Sequence, residues 1–229
     1  MKYYLEDSKA ILDRLETTQE GLSSGEADRR LEIHGPNALK QAPKPSLLRR
    51  FFQQMADPMI IILLAAAAIS GVTAFYAKES FADVFIILFV VIVNTVLGLY
   101  QENKAEAAIE ALQKMSAATS KVLRDGEITQ VPSNQLVPGD IVVLEAGDAV
   151  PADARILEAV SLKLEEAALT GESVPVNKAT ETLTLAQGQK DVSLGDRKNM
   201  VYMGSTVVYG RGRAVVVGTG MGTDRKSVV

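Results

Sequence analysis

Two uncharged stretches set the limits on what this chain can fold into. Pro58 to Ala77 reads PMIIILLAAAAISGVTAFYA, and Val84 to Tyr100 reads VFIILFVVIVNTVLGLY with only Asn94 and Thr95 polar. A helix needs about 20 apolar residues to cross the hydrocarbon core of a bilayer. The second run reaches that length by starting near Phe81, which places Asp83 at the water interface. Only Lys78-Glu79-Ser80 and a residue or two on each side separate the runs, so the expected structure is an antiparallel transmembrane hairpin with a very short external loop. Lys40, Lys44, Arg49 and Arg50 precede the first span, and Lys104, Lys114, Lys121 and Arg124 follow the second, against the single Lys78 in the turn. The positive-inside rule then makes this a multi-pass protein of the cell membrane with both termini cytoplasmic. Two buried core helices of a soluble protein are the alternative, and the length and purity of both runs weigh against it.

Elsewhere composition mainly excludes. The 229 residues contain no cysteine, which rules out disulfides and thiolate metal sites, and His34, the only histidine, has no second ligand candidate nearby and reads as a surface or helix-end residue. A net charge of -4 removes nucleic acid from the partner classes. The charged, amphipathic first fifty residues do not read as a signal peptide.

On either side of the hairpin the pattern is helix, then helix, then strand. Ser8 to Glu16 carries Ile11, Leu12 and Leu15 on one face, and a second helix begins at Ser23 with Glu26 at capping-box spacing and ends at Gly35-Pro36. Pro43 and Pro45 form a stiff linker into an amphipathic approach, Ser46 to Met55. The second span runs on without a breaker through Gln101 to Leu112, a cytoplasmic stalk whose Ala105, Ala108, Ile109 and Leu112 form a packing stripe. From Lys121 the reading is β. A hairpin turns at Asp125-Gly126-Glu127, strands follow at Ile141–Leu144 and Ala154–Val160, and Met200–Val208 and Arg213–Val217 are joined around Gly210-Arg211-Gly212. A distorted β-sandwich or jelly roll is the expected packing, with Val122, Ile128, Ile141, Val143, Ile156, Leu169, Val207 and Val215 in its core.

Three strings carry chemistry: Val137-Pro138-Gly139-Asp140, Gly147-Asp148-Ala149-Val150-Pro151-Ala152-Asp153-Ala154-Arg155, and Leu169-Thr170-Gly171-Glu172-Ser173. In order, these strings resemble the actuator domain of P-type cation ATPases. Gly21, Leu22, Ser23, Glu26, Ala27, Arg30, Leu31, Gly35, Pro36 and Asn37 resemble the N-terminal segment of the same family. The stalk is most similar to calcium pumps of the sarcoplasmic-reticulum type. Asp57 matches an acidic position in those pumps, whereas Ala56 stands where the sarcoplasmic-reticulum pump has a gating glutamate. The fold class implied is membrane α plus β: a two-helix transmembrane hairpin with a cytoplasmic actuator domain, a distorted β jelly roll plus N-terminal helices.

Aspartyl-phosphate hydrolysis needs a base that positions water in line with the leaving carboxylate, and the resemblance gives that role to Glu172. Gly171 lets the backbone approach the phosphorylated partner, while the Thr170 and Ser173 hydroxyls hold the loop and the water. A solvated, N-capped surface turn is the plain alternative for this string taken alone. The aspartates Asp140, Asp148 and Asp153 read as turn-holding groups, with Arg155 a structural partner for one of them. No metal or cofactor residue is expected in this chain. ATP and magnesium belong to the full-length parent, and the partners implied are the lipid bilayer, a transported cation, the phosphorylation and nucleotide domains, and later transmembrane helices.

The family's Asp-Lys-Thr-Gly-Thr string does not occur in the sequence. The chain is therefore expected to be the N-terminal part of a cation pump, inactive alone. Its divisions are residues 1–45 as N-terminal helices of the actuator, 46–115 as the first two transmembrane helices with stalks, and 116–229 as the β-rich actuator domain. Residues 224–229 read as adapter-derived sequence, since Asp-Arg-Lys-Ser-Val-Val is what a common sequencing adapter encodes. Two alternatives stay open: a non-catalytic membrane-anchored regulatory or binding module, and a fragment of a P-type pump for another cation.

Overall fold

The computed structural model describes residues 2–39, 45–115, 118–171, 174–185, 188 and 191–224, without the side chains of 110–115 and 168. Two compact units divide the chain: Met1–Lys40 with Ala117–Val229, and Gln41–Ser116.

In the first unit, α1 (Ser8–Arg14) is capped by Asp7, whose carboxylate accepts from the Lys9 N–H, and α2 (Ser24–His34) by Ser23, whose hydroxyl accepts from the Glu26 N–H. Only that half of the expected capping box forms. The Glu26 carboxylate instead takes Arg29 and Arg30, each at 2.7 Å, and these bonds hold it down to about 2. His34 is the exposed last residue of α2.

The strands are β1 (Thr119–Arg124), β2 (Glu127–Pro132), β3 (Ile141–Glu145), β4 (Asp153–Glu165), β5 (Val176–Asn177), β6 (Met200–Val201) and β7 (Thr206–Gly218). They form one antiparallel sheet in the order β2-β1-β3-β7-β4-β5, with β6 on β4. The expected break at Gly210–Gly212 is absent: β7 is a single strand. Gly210, at φ +78°, sits where an added Cβ would lie 2.3 Å from the Ser161 carbonyl, so the glycines serve a bulge against β4 and not a turn. A second irregularity beside it, where Lys163↔Tyr209 gives way to Leu164↔Val207, changes which face the β7 residues occupy. Val207 before it and Ala214 and Val216 after it all reach one core, although their numbers differ in parity.

The core joins Val122, Val142, Leu144, Ile156, Leu162, Leu164 and Val207, while Val215 lies on the opposite face under Ile11 and Leu12 of α1. Of the core residues read from sequence, Val122, Ile141, Ile156, Val207 and Val215 are fully buried. Ile128 is exposed because β2 is the sheet edge, and Val143 and Leu169 are only half-buried, with Val142 and Leu144 filling the positions assigned to Val143.

In the second unit, α3 (Leu47–Met55) is capped by Ser46, and α4 (Pro58–Ala77) starts with Pro58 at its first turn and Asp57 as its cap. It ends on Lys78 in the left-handed conformation, and α5 spans Ala82–Met115. Both α4 and α5 are long and apolar enough to cross a membrane. At 34 residues α5 is about 51 Å long, well beyond a hydrocarbon core of ~30 Å. Ile60, Ala67 and Ala74, seven apart, are buried on α4, as are Val91 and Thr95 on α5. Small residues at such spacing let the two backbones approach. The Thr95 hydroxyl donates back to the Val91 carbonyl at 2.8 Å, whereas Asn94 is exposed and does not pack between the helices.

The stalk stripe differs from expectation. Ala105, Ala108 and Ile109 are exposed, and the Leu112 side chain lies outside the described residues. What is buried here is polar: Arg50 of α3 donates to Glu106 at 2.8 and 3.2 Å and to Asn103 at 3.1 Å, so α3 meets the stalk through charge and not through the alanines.

Candidate functional site

The loop of interest leaves the end of β4 at Glu165 and returns at β5. Between them a single helical turn, α6 (Ala167–Thr170), starts from Glu166. The Glu166 carbonyl accepts from the Leu169 N–H at 2.9 Å, the Thr170 N–H at 3.0 Å and the Thr170 hydroxyl at 3.1 Å. The Thr170 hydroxyl thus helps to close the turn. Gly171 follows at φ +77°, ψ −3°, a left-handed C-cap that favours glycine, with its N–H on the Ala167 carbonyl. Apart from its chain neighbours, no described residue lies within 4 Å of where a Gly171 Cβ would be. Glu172 and Ser173 lie outside the described residues.

On the return side, β5 pairs with β4 over only Lys163↔Asn177 and Leu164↔Val176, and the Lys178 N–H reaches the Leu162 carbonyl at 2.9 Å. Sequence reasoning passed over the contact that joins the two arms: Lys178 Nζ lies 2.6 Å from Glu166 Oε1, with the two side chains 0% and 1% exposed. Burial pushes Glu166 up and Lys178 down, each opposed by the charge of the other. Hydrophobic periodicity could not flag them, since Glu166 and Lys178 look like ordinary surface residues in the string.

The other motif residues hold architecture. Asp140 is fully buried, takes Arg124 Nε at 2.8 Å and Nη2 at 2.7 Å, and accepts the Val137 N–H at 2.9 Å. Asp148 accepts the Glu145 N–H at 2.9 Å within its turn. Asp153 accepts the N–H groups of Met203 and Asp224, and burial nevertheless pushes it up to about 6. Arg155 pairs with none of these aspartates, a correction to the sequence reading. Its fully buried guanidinium donates to the carbonyls of Ile156 at 2.6 Å and Thr180 at 3.0 Å, fastening β4 to the chain two residues beyond Lys178.

The N-terminal helices are bolted to the same sheet. Arg30 donates to the Leu15 and Pro138 carbonyls at 2.7 and 2.9 Å. Asn37 donates to Ser133 and Pro151 and accepts the Gly220 N–H at 2.8 Å.

A helix pair fastened to a bulged antiparallel sheet, with a loop turn ending in Thr-Gly, defines an actuator-type domain. The family model for the P-type ATPase actuator domain matches residues 114–229, and that for the cation transporter/ATPase N-terminus matches residues 3–70. The chain belongs to the P-type ATPase family.

Among its relatives, a calcium-transporting ATPase of Bacillus subtilis is 45% identical over 97% of this chain and 24% of its own length. A calcium-transporting ATPase of Bacillus cereus is 45% identical over 97% of the chain and 24% of its own. An endoplasmic reticulum-type calcium-transporting ATPase of Arabidopsis thaliana is 37% identical over 90% and 20%. The chain spans about a quarter of the length of the curated relatives it matches.

Proposed function

We propose that the chain is the N-terminal part of an ATP-driven calcium pump and supplies the actuator loop that hydrolyses the aspartyl phosphate. The observation that carries this reading is the loop itself: an internally bonded turn ending in a left-handed Gly171 that no described residue beyond its neighbours covers, in a chain of this family. In this role Gly171 approaches the phosphorylated partner, Glu172 orients the attacking water, and Thr170 and Ser173 hold the loop and the water.

Residues 46–115 form the first membrane hairpin of a multi-pass protein with both termini cytoplasmic. Residues 1–45 and 116–229 form the actuator. Its partners are the bilayer, the transported cation, the phosphorylation and nucleotide domains, and the later spans. Among the described residues no three carboxylates or imidazoles converge as metal ligands. ATP and magnesium are what the family's full-length pumps use, and the reading assigns them to the complete protein.

The test is phosphoenzyme formation from ATP by the complete protein in membranes. Acid-stable phosphoenzyme should depend on micromolar calcium and chase away on removal of ATP. Dependence on another cation would overturn the calcium assignment, and a protein that forms no phosphoenzyme would favour a non-catalytic membrane module.

A further inference from the structure

The Glu166–Lys178 pair stands at the neck of the loop, and its position is odd on energetic grounds. Two charges taken fully out of water cost several kcal/mol in desolvation, and a buried ion pair is often no more stabilising than two apolar side chains of similar volume. Stability alone therefore does not account for it. What the pair does supply is a fixed distance between the two arms of the loop, beside the short backbone pairing of β4 with β5 and the bond from the Lys178 N–H to the Leu162 carbonyl.

Glu166 is also the residue from which α6 hangs. Its carboxylate is tied to Lys178, and its carbonyl carries three bonds from Leu169 and Thr170. Displacement of Glu166 is thereby transmitted to Thr170 and Gly171 through a single turn of helix.

We infer that Glu166 and Lys178 are positioning residues for phosphoenzyme hydrolysis: their buried contact sets where the Thr170-Gly171 end of the loop stands. This rests on the proposed actuator role.

The experiment uses the complete pump and compares phosphoenzyme formation with phosphoenzyme decay. Glu166→Leu with Lys178→Met replaces the pair by apolar groups of similar volume, so folding and formation from ATP should persist. Decay should slow by roughly tenfold to a hundredfold, the penalty of small misplacements near a reacting centre. Glu166→Asp keeps the charges and shortens one arm by a methylene. It should slow decay in the same direction, and it decides the matter if the double variant does not fold. Parental decay in a folded double variant, or in Glu166→Asp, overturns the inference. Glu172→Gln in the same pump separates the two readings. If it slows decay while the pair variants do not, only the positioning role falls; if it decays at the parental rate, the actuator assignment itself falls.

Discussion

Asp140→Ala should unfold the actuator unit well before it alters any chemistry. The carboxylate is completely buried, and removing it leaves the Arg124 guanidinium, 8% exposed, with the Gln135 carbonyl at 3.2 Å as its one remaining partner among the described residues. Breaking a buried pair from one side costs about 3–5 kcal/mol, because the remaining charge stays desolvated. The buried Val137 N–H loses its acceptor as well, a loss of about 1–3 kcal/mol that overlaps the first. At about 2–4 °C per kcal/mol for a unit of this size, the midpoint should fall by about 6–20 °C. Tyr4 and Tyr202 are buried in this unit, so near-ultraviolet circular dichroism of the whole chain in detergent reports its unfolding. Arg124→Met with Asp140→Leu removes both charges and leaves chiefly the Val137 N–H unpaired, so the double variant should be more stable than either single one. A midpoint within about 3 °C of the parent for Asp140→Ala, coupled with lost phosphoenzyme hydrolysis, would refute the architectural role and give Asp140 a chemical one.

Other expectations follow from particular residues. Asp153 is held up at about 6, above its ordinary 3.8, so the folded state binds this proton more tightly than the unfolded one. Its contribution is fullest below pH 4 and is lost as pH rises through about 6, an effect of about 3 kcal/mol. Denaturant unfolding of Asp153→Asn should therefore show a shallower decline between pH 4 and 7, and parallel pH curves for variant and parent would contradict this. Gly171→Ala places a Cβ at φ +77°, which costs about 1–2 kcal/mol locally. The unfolding midpoint should fall by no more than about 2–8 °C while phosphoenzyme decay slows, and unchanged decay would show that the left-handed cap is dispensable. Because the chain has no cysteine, Lys78→Cys gives a single thiol, which an impermeant maleimide should label only from outside the cell. Labelling from the cytoplasmic side would invert the hairpin.

The sequence exposed some features of this fold and concealed others for physical reasons. The membrane helices were legible because lipid imposes length and polarity on Pro58–Ala77 and on the run after Phe81, and the cap at Ser23 because its spacing reflects a local bond. Asp125-Gly126 announced its hairpin, since both residues adopt positive φ. Gly210 misled because a glycine pair between apolar runs signals a turn or a bulge equally, and only the β4 neighbour distinguishes them. Edge position, which exposes Ile128, depends on strand order and is invisible in a local pattern. The charged contacts Arg124–Asp140, Arg50–Glu106 and Glu166–Lys178 join residues by tertiary geometry, so no periodicity marks them. The Thr170-Gly171 loop end was legible as a motif, but the brace behind it was not.

The most direct test of the actuator role is the decay of phosphoenzyme in the complete pump carrying Glu172→Gln. Phosphoenzyme should form from ATP as in the parent and then persist, its decay slowed by roughly a hundredfold or more for loss of a water-orienting base. Decay at the parental rate would contradict the assignment of this loop to hydrolysis.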